Sequence, residues 1–252
     1  MDQRNSSGDA SNIEWLAMRE RPEGWPIMHQ TWGKLLFMHW RVDERLLRPL
    51  IPGSLTIDTF DGDAWIGIIP FTMWGIRAAF LSPIPGTSVF HELNVRTYVH
   101  QGGVPGVWFL SLDAANKLAV WAARKFYYLP YFNAEMSLHQ AGNTIHYAST
   151  RHDSRGAPAT LETSWAIGAA LPPSAPDSLD FFLTGRYCLY SEHGWQLYRA
   201  RIHHAPWPLQ DATLTSFNST MIESHGLPTP KGQPLIHYSE EISVDIWRLK
   251  KI

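Results

Sequence analysis

The clearest alternation of apolar and polar residues along the chain lies in the segment FHELNVRTYVH, which covers residues 90–100. In an extended strand, neighbouring side chains point to opposite faces. One face of this segment therefore carries Leu93, Val95, Thr97 and Val99, and the other carries Glu92, Asn94, Arg96 and Tyr98. The polar face could turn to water, as in many antiparallel sheets, or it could line a pocket if the sheet curls around it. The pattern alone leaves both alternatives open.

Runs rich in β-branched and aromatic residues predict strands over most of the remaining chain. These runs cover residues 29–42, 54–75, 103–114, 132–139, 144–151, 160–167, 187–191, 195–203 and 237–247. Within the second run, the turn sequence Asp61-Gly62-Asp63 separates two β-rich halves and predicts a hairpin. Residues rich in proline and glycine or serine predict loops at 81–88 and 171–178.

The strongest helix signal is the segment NKLAVWAARKFYY, residues 116–128. Its apolar side chains recur at helical spacing, which is typical of the apolar face of an amphipathic helix. These residues are Leu118, Trp121, Ala122 and Phe126.

Shorter helices are predicted at 43–52, at 179–185 and, on a more ambiguous pattern, at 216–226. Asp43 can cap the first of them, and Pro52 ends it. Either Asp177 or Ser178 can cap the second, since both precede its first apolar residues.

Strands separated by short turns, with few helices and no regular β-α-β alternation, indicate a fold that is mainly β (α+β). A largely antiparallel barrel or sandwich with a few packed helices fits this order of elements best. Residues 1–26 are polar and turn-rich, and we expect a loosely ordered N-terminal segment there, followed by a single domain over 27–252.

Composition narrows the class of protein. Hydrophobic residues make up 44% of the 252-residue chain and the net charge is −2, so a large core is expected, with no nucleic acid or membrane as partner. Cys188 is the single cysteine, which excludes an internal disulfide and favours a reducing, cytoplasmic location. The polar N-terminus predicts no signal peptide, and no apolar run reaches about 20 residues. A homo-oligomer is compatible with the sequence.

Motifs for common cofactors and metals are missing from the sequence. There is no GxSxG, GxGxxG or phosphate-loop pattern, and the twelve histidines form no HxH or HExxH motif. His203 and His204 are adjacent on a predicted strand, so they point to opposite faces and cannot ligate one metal together. We expect no cofactor and no metal site. The twelve tryptophans predict either an aromatic-lined cavity or rings that simply fill the interior.

Lys125 raises the question of a catalytic amine. A Schiff-base lysine needs a depressed pKa, and Arg124 next to it is a cation that could lower the pKa if the two side chains met. Neighbouring residues on a helix point about 100° apart, however, so the alternative is a solvated lysine at the negative end of the helix dipole.

Several segments together carry a resemblance to a known family. They are FMHWRVDERLLRPLIPGSLTIDTF, FHELNVRTYV, PGVWFLSLDA, ARKFYYLPYFNAEM, LTGRYCLYS and HHAPWPL. The chain resembles the YqjF-like bacterial proteins, a domain family of unknown function grouped with the acetoacetate decarboxylase-like fold. The resemblance runs from about residue 29 to residue 247, and it implies a closed antiparallel barrel or cone with helices outside and a central pocket.

Acetoacetate decarboxylases are more distant relatives within this resemblance. Their helix ends in Gly-Arg-Glu and leads to Pro-Lys-Lys, where the first lysine forms the Schiff base and the second lowers its pKa. This pattern places the family's arginine on Arg124 and its proline on Pro130, so the two lysine positions fall on Tyr131 and Phe132. Lys125 falls where the family has its glutamate. The resemblance therefore implies that both catalytic amines are absent and that acetoacetate is not decarboxylated by the family mechanism.

Other pocket positions can be carried over in the same register. The family's pocket glutamate falls on Glu92, and its Leu-Asp pair falls on Leu112 and Asp113. The family's pocket arginine falls near Gly33, beside Lys34, so this group is not clearly kept.

The resemblance and the residues together imply a pocket for a small organic acid or an aromatic molecule. Glu92 would be the acid/base in a lyase-, hydratase- or isomerase-type step. The expected ligand-binding residues are Arg96, Asn94, Tyr128, Tyr131 and Phe132. The alternatives are a non-catalytic binding or sensing protein with the same pocket, and a structural module with a filled interior.

Overall fold

The computed structural model describes residues 17–78 and 89–252. The predicted loop at 81–88 and the first sixteen residues of the predicted N-terminal segment lie outside these ranges. Strands dominate the described part, namely β1 (Met28–Val42), β2 (Thr56–Ile57), β3 (Ala64–Ala78), β4 (Phe90–Gln101), β5 (Val104–Ala114), β6 (Tyr131–Ala141), β7 (Thr144–Arg151), β8 (Thr160–Ala170), β9 (Cys188–His193), β10 (Gln196–His204), β11 (Leu209–Ser219), β12 (Leu235–Ile246) and β13 (Lys250–Lys251). The helices are α1 (Glu44–Leu47), α2 (Lys117–Tyr127) and α3 (Leu179–Thr184), with 3₁₀ turns at Arg48–Leu50 and Glu223–His225.

The strands form one sheet in the order β13-β10-β9-β5-β6-β7-β8-β11-β12-β1-β3-β4-β2. Two further pairings, β5 with β4 and β10 with β12, join distant parts of this order into two rings of strands. The rings share β12, β1, β3, β4 and β5, so these shared strands form a wall with an interior on each side. The predicted fold class, mainly β with a few helices, is confirmed.

The pairing is largely antiparallel, as expected, and β5 is the exception. This strand pairs in parallel with both β6 and β9. A parallel pair needs a crossover connection, and α2 supplies it between β5 and β6.

The shared wall explains why both faces of β4 are buried. On β1, Leu36 and Met38 pack into one core, whereas Leu35 and Phe37 pack into the other. β4 divides in the same way, because its apolar face joins the first core and its Glu92 face points into the second interior. The alternative of a solvent-exposed polar stripe is therefore wrong.

Helix α2 is present as predicted, but it packs through a different face. Its start is capped by Asn116, whose side chain accepts hydrogen bonds from the backbone of the next turn at 3.0 and 3.1 Å. Val120 is 1% exposed, whereas Leu118 is 56% exposed, and Trp121 and Phe126 are also exposed. The buried side is rich in alanine, which lets the helix backbone approach the sheet closely, so the bulkier neighbouring face is left outside.

Two further predictions are corrected in detail. Asp61 and Gly62 form a tight turn with φ of 51° and 83°, closed by a single bridge between Phe60 and Asp63. No longer hairpin follows, because β2 pairs with β4. The run predicted as helical at 216–226 begins as the end of β11, and only its last residues form a 3₁₀ turn.

The short helix caps agree with the sequence. The Asp43 side chain accepts a hydrogen bond from the Arg45 backbone at 2.9 Å at the start of α1. Ser178 caps α3 by accepting from the Phe181 backbone at 3.2 Å, which decides between the two predicted caps.

Residues 17–26, the described part of the N-terminal segment, are fixed to the sheet. Arg201 donates to the Met18 carbonyl at 2.9 Å, and Arg21 forms an ion pair with Asp245 at 2.5 Å. Met18 is buried in the core. Within the ranges that the structure describes, no helix combines the length and apolar character needed to cross a bilayer.

Candidate functional site

A cavity of about 430 Å³ lies between the shared wall of the sheet and helix α2. Most of its lining is apolar and aromatic, as in typical small-molecule sites. The polar side chains that reach it come from six elements or their ends, and they include Gln30, Glu92, Asn94, Arg96, Tyr127, Tyr131, Thr184, Arg186 and His204. Phe126 of α2 lines the cavity and is also exposed on the surface, so the α2 side is open towards solvent.

Glu92 is the carboxylic acid that lines this cavity among the described residues. Its side chain is held by the Tyr131 hydroxyl, which donates a hydrogen bond of 2.8 Å to Oε2. Burial raises the pKa of Glu92 to about 8, the hydrogen bond from Tyr131 lowers it, and the negative charge of Asp113 raises it further. At neutral pH this group therefore carries its proton.

Asp113 lies behind this part of the wall and is fully paired. Arg151 donates to its carboxylate through Nε at 3.0 Å and through Nη2 at 2.7 Å, and both side chains are buried. The neighbouring Tyr147 donates to the Glu92 carbonyl at 2.8 Å. These hydrogen bonds hold β4, which carries Glu92, and the neighbouring strand β5, which carries Asp113.

Arg96 occupies the other end of the same strand face. Its Nη2 donates to the Leu183 carbonyl at 3.0 Å and to the Tyr98 hydroxyl at 3.3 Å. No carboxylate within the described ranges lies close enough to form an ion pair with Arg96, and its buried Nε makes no hydrogen bond there. The guanidinium lies over the Phe37 ring, 5.5 Å from its centroid. A buried cation thus faces the cavity without a counter-ion from this part of the chain.

Arg186 is a second cation beside Arg96, but it is compensated. Its Nη1 forms an ion pair with Asp58 at 2.5 Å, and its Nε donates to the Phe182 carbonyl at 2.7 Å. Its guanidinium stacks on the Tyr98 ring, 4.7 Å from the centroid, on which Arg96 also lies.

Aromatic rings form a continuous wall that begins next to Arg96. Phe37 meets Trp207 edge to face with centroids 5.0 Å apart, and Trp207 stacks on Trp32 at 6.4 Å. Trp32 in turn contacts Phe71 at 5.8 Å. The indole of Trp207 donates to the Thr184 carbonyl at 2.9 Å, which fixes its orientation.

The structure brings together four of the six predicted site residues. Glu92, Asn94, Arg96 and Tyr131 all line the cavity. The remaining two positions differ from the prediction.

Tyr128 lies outside the cavity, since it ends α2 in a left-handed conformation and stacks on His193 at 4.3 Å. Phe132 is also outside it, because neighbouring strand residues alternate in direction and Tyr131 points inward. The guanidinium of Arg151 lies over the Phe132 ring at 4.3 Å.

Sequence reasoning missed several lining residues. Arg186 and His204 lie in the segments LTGRYCLYS and HHAPWPL, which carry the resemblance but give no signal that these two side chains line a pocket. His204 is buried, as one member of an adjacent pair on a strand should be, and burial lowers its pKa to about 4. Trp207 follows a proline in an irregular stretch, where no periodicity could indicate its direction.

None of the six lysines lines the cavity, and all six lie in the described part of the chain. Lys125 is exposed at the end of α2, with its Nζ 5.0 Å from the centre of the Trp121 ring. Lys34 is paired with Glu240 on the outside of the sheet. The alternative of a solvated helix-end lysine is the one that the geometry supports.

Solved structures define the class of this architecture. The enduracididine biosynthesis enzyme MppR complexed with pyruvate aligns with a TM-score of 0.62 and 14% identity, covering 90% of this chain and 91% of that chain. An acetoacetate decarboxylase aligns with a TM-score of 0.59 and 18% identity, covering 92% of this chain and 90% of that chain. The fold is therefore acetoacetate decarboxylase-like.

The family follows from sequence comparison. The chain belongs to the DUF2071 family, described as an uncharacterized conserved protein, whose profile matches residues 29–243. This chain is also similar to "Uncharacterized protein YqjF" of Bacillus subtilis (strain 168). It is 44% identical over 236 residues, which cover 91% of this chain and 94% of the relative.

Proposed function

We propose that this protein binds a small organic acid in the cavity, with Arg96 holding the carboxylate and Glu92 acting as the proton donor. One observation carries the proposal: the buried Arg96 guanidinium faces the cavity, and no carboxylate of the described residues pairs with it.

The charges around the cavity support an anionic ligand. Arg186 is matched by Asp58, and Glu92 is neutral at pH 7 because burial raises its pKa to about 8. His204 is neutral as well, since its pKa is lowered to about 4. The positive charge of Arg96 is therefore uncompensated by the described side chains around the cavity, and a buried charge without a partner is costly. A ligand carboxylate can accept bidentate hydrogen bonds from a guanidinium and supply the missing charge.

A protonated Glu92 fits general acid chemistry. A carboxyl group with a pKa near the working pH can give a proton to a leaving oxygen or to a developing enolate and then take one back. This would serve a lyase-, hydratase- or isomerase-type step on the bound acid. Tyr131 orients the carboxyl group through its hydrogen bond to Oε2.

Schiff-base chemistry has no support in this cavity. A lysine amine is required as the nucleophile, and none of the six lysines lines the cavity. We therefore expect no CO2 release from acetoacetate and no lysine adduct trapped by borohydride. Trapping of such an adduct would contradict this part of the proposal.

A non-catalytic binding protein is the second candidate function, and one observation favours it. A side chain that transfers protons works best with a pKa near the working pH, and the histidine that lines the cavity, His204, has a pKa of only about 4. A structural module with a filled interior is the weakest candidate, because the cavity measures about 430 Å³.

Calorimetric titration can test the proposal with 3-phenylpropanoate and its neutral amide. The acid should bind, and the amide should bind at least about tenfold more weakly because it lacks the charge that Arg96 requires. Arg96→Met should abolish the preference for the acid. The exposed Arg248→Met is the matched control and should keep it. Equal binding of acid and amide to the wild-type protein would contradict the proposal.

Glu92→Gln separates the two candidate functions. If the protein is an enzyme, this isosteric change should abolish turnover and largely spare affinity for the acid. If it is only a binding protein, the wild-type protein has no turnover to lose, and Glu92→Gln should still bind the acid.

A further inference from the structure

We infer that the ligand is an aryl-substituted carboxylic acid with a hydrogen-bond acceptor on the far side of its ring, of the size of a 3-(4-hydroxyphenyl)propanoate. This inference rests on the proposed function and deepens it. Arg96 binds the carboxylate, the aromatic wall holds the ring, and Glu92 donates to the distal oxygen.

The two polar ends of the cavity are separated by the length of four strand residues. Cα atoms at positions i and i+4 of a strand are about 13 Å apart, so Glu92 and Arg96 cannot both contact a two- or three-carbon acid without leaving their places. Arg96 leans further away from Glu92, because its Nη2 is bonded to the Tyr98 hydroxyl and the Leu183 carbonyl. Glu92 is held in place by Tyr131.

The surface between these ends fits a flat ring. Phe37, which lies under the Arg96 guanidinium, continues into Trp207, Trp32 and Phe71, and all four line the cavity. Aromatic pairs are worth about 0.5–1.5 kcal/mol beyond the area they bury. A ring attached to a carboxylate through a short chain would lie on this wall when the carboxylate reaches Arg96.

The hydrogen-bonding capacity of Glu92 sets the chemistry of the distal group. Oε2 accepts the Tyr131 hydroxyl, so the proton of the neutral carboxyl group resides on Oε1. No side-chain hydrogen bond to Oε1 exists within 17–78 and 89–252. The ligand atom there is an acceptor, such as a phenol, ether or carbonyl oxygen. The amide of Asn94 lies between the two ends, and its buried Oδ1 is without a partner in the described ranges.

A length series tests the inference by calorimetry on the full chain at pH 7. The probes are butanoate, 3-phenylpropanoate, 3-(4-hydroxyphenyl)propanoate and the amide of the last compound. Affinity should rise at least about tenfold from butanoate to 3-phenylpropanoate, and several-fold again when the hydroxyl is added. Glu92→Gln can still donate through its amide and should keep the gain in affinity from the hydroxyl group. Glu92→Leu should lose that gain and keep the gain from the aromatic ring. The exposed Glu162→Leu is the matched control and should change neither gain.

The outcomes separate the two claims. If the acids bind better than the amide but butanoate binds as well as both aryl acids, the inferred ligand class is wrong and the proposed function stands. The class is also wrong if the hydroxyl gain survives in Glu92→Leu. If the amide binds as well as the acid, both claims are overturned. They are also overturned if no acid binds at a concentration of about 10 mM.

Discussion

The hydroxyl of Tyr131 donates a hydrogen bond of 2.8 Å to the carboxyl group of Glu92 inside a largely apolar cavity. Tyr131 is held in turn through its backbone, since Arg124 of α2 donates to its carbonyl at 2.8 Å. Tyr131 occupies the position at which the resemblance to acetoacetate decarboxylases places the first catalytic lysine. The resemblance therefore implies that a hydroxyl–carboxyl pair stands here in place of an amine.

Removing this hydroxyl should raise the pKa of Glu92. The Tyr131 hydrogen bond stabilises the carboxylate and lowers the pKa of Glu92, so Tyr131→Phe should shift that pKa above its value of about 8. Infrared titration of the carboxyl band can measure the shift. Tyr128→Phe is the matched control, because Tyr128 lies outside the cavity, and it should leave the midpoint unchanged. A lower midpoint in Tyr131→Phe would contradict the geometry.

Glu92 should also make folding stability fall as pH rises. Its pKa is raised from 4.5 in the unfolded chain to about 8 in the folded protein, so the folded state holds the proton more tightly. The free energy of unfolding from this group is fully present below about pH 4.5, falls as pH rises towards about 8 and then levels off. The change amounts to no more than about 5 kcal/mol, at 1.36 kcal/mol per pKa unit.

Urea denaturation of wild-type and Glu92→Gln proteins between pH 6.5 and 9 can measure this slope. Glutamine carries no titrating proton, so the difference in unfolding free energy between the two proteins should narrow or reverse with rising pH. The exposed Glu162→Gln should follow the wild type throughout. Parallel curves for wild type and Glu92→Gln would show that Glu92 is ionised in the folded protein.

Breaking the buried ion pair behind the cavity should be strongly destabilising. Asp113→Asn leaves the buried Arg151 without its counter-ion, and such changes cost about 3–5 kcal/mol. The exposed pair of Arg41 and Asp63 is the matched control, and Asp63→Asn should change the unfolding free energy by less than about 1 kcal/mol. A loss below that level for Asp113→Asn would contradict the buried pairing.

The packing face of α2 can be checked by truncation. Val120→Ala removes buried methyl groups and should cost about 2 kcal/mol, because both transfer energy and packing are lost. Leu118→Ala removes a larger side chain from the exposed face and should change stability by no more than about 0.5 kcal/mol. If thermal or urea denaturation showed a larger loss for Leu118→Ala than for Val120→Ala, α2 would pack through the face that contains Leu118, and the observed packing would be contradicted.

Much of the fold was predictable because alternation along strands is a local property. The strand pattern of FHELNVRTYVH assigned Glu92, Asn94 and Arg96 to one face correctly. Whether that face meets water or a cavity depends on β4 lying within a wall shared by two rings. This is set by pairings between strands that are distant along the chain, and no local pattern encodes them.

The incorrect parts have similar causes. Helical spacing in α2 indicates the apolar face that includes Leu118 and Phe126, whereas close packing selects the alanine-rich side that includes Val120. Tyr128 and Phe132 were expected in the pocket because they are near the aligned lysine positions. Tyr128 is turned away by its left-handed backbone, with φ of 54°, and Phe132 by the alternation of β6.

The ionisation state of Glu92 decides the account most directly, because it sets both the net charge of the cavity and the presence of a proton donor. Infrared difference spectra of wild-type minus Glu92→Gln protein, recorded from pH 5 to pH 10, report this one carboxyl group. We predict a protonated carboxyl band at pH 7 that disappears with a midpoint near 8. Loss of the band by about pH 5 would mean that Glu92 is an ordinary carboxylate that offsets Arg96, and it would contradict both the proton donor and the anion site.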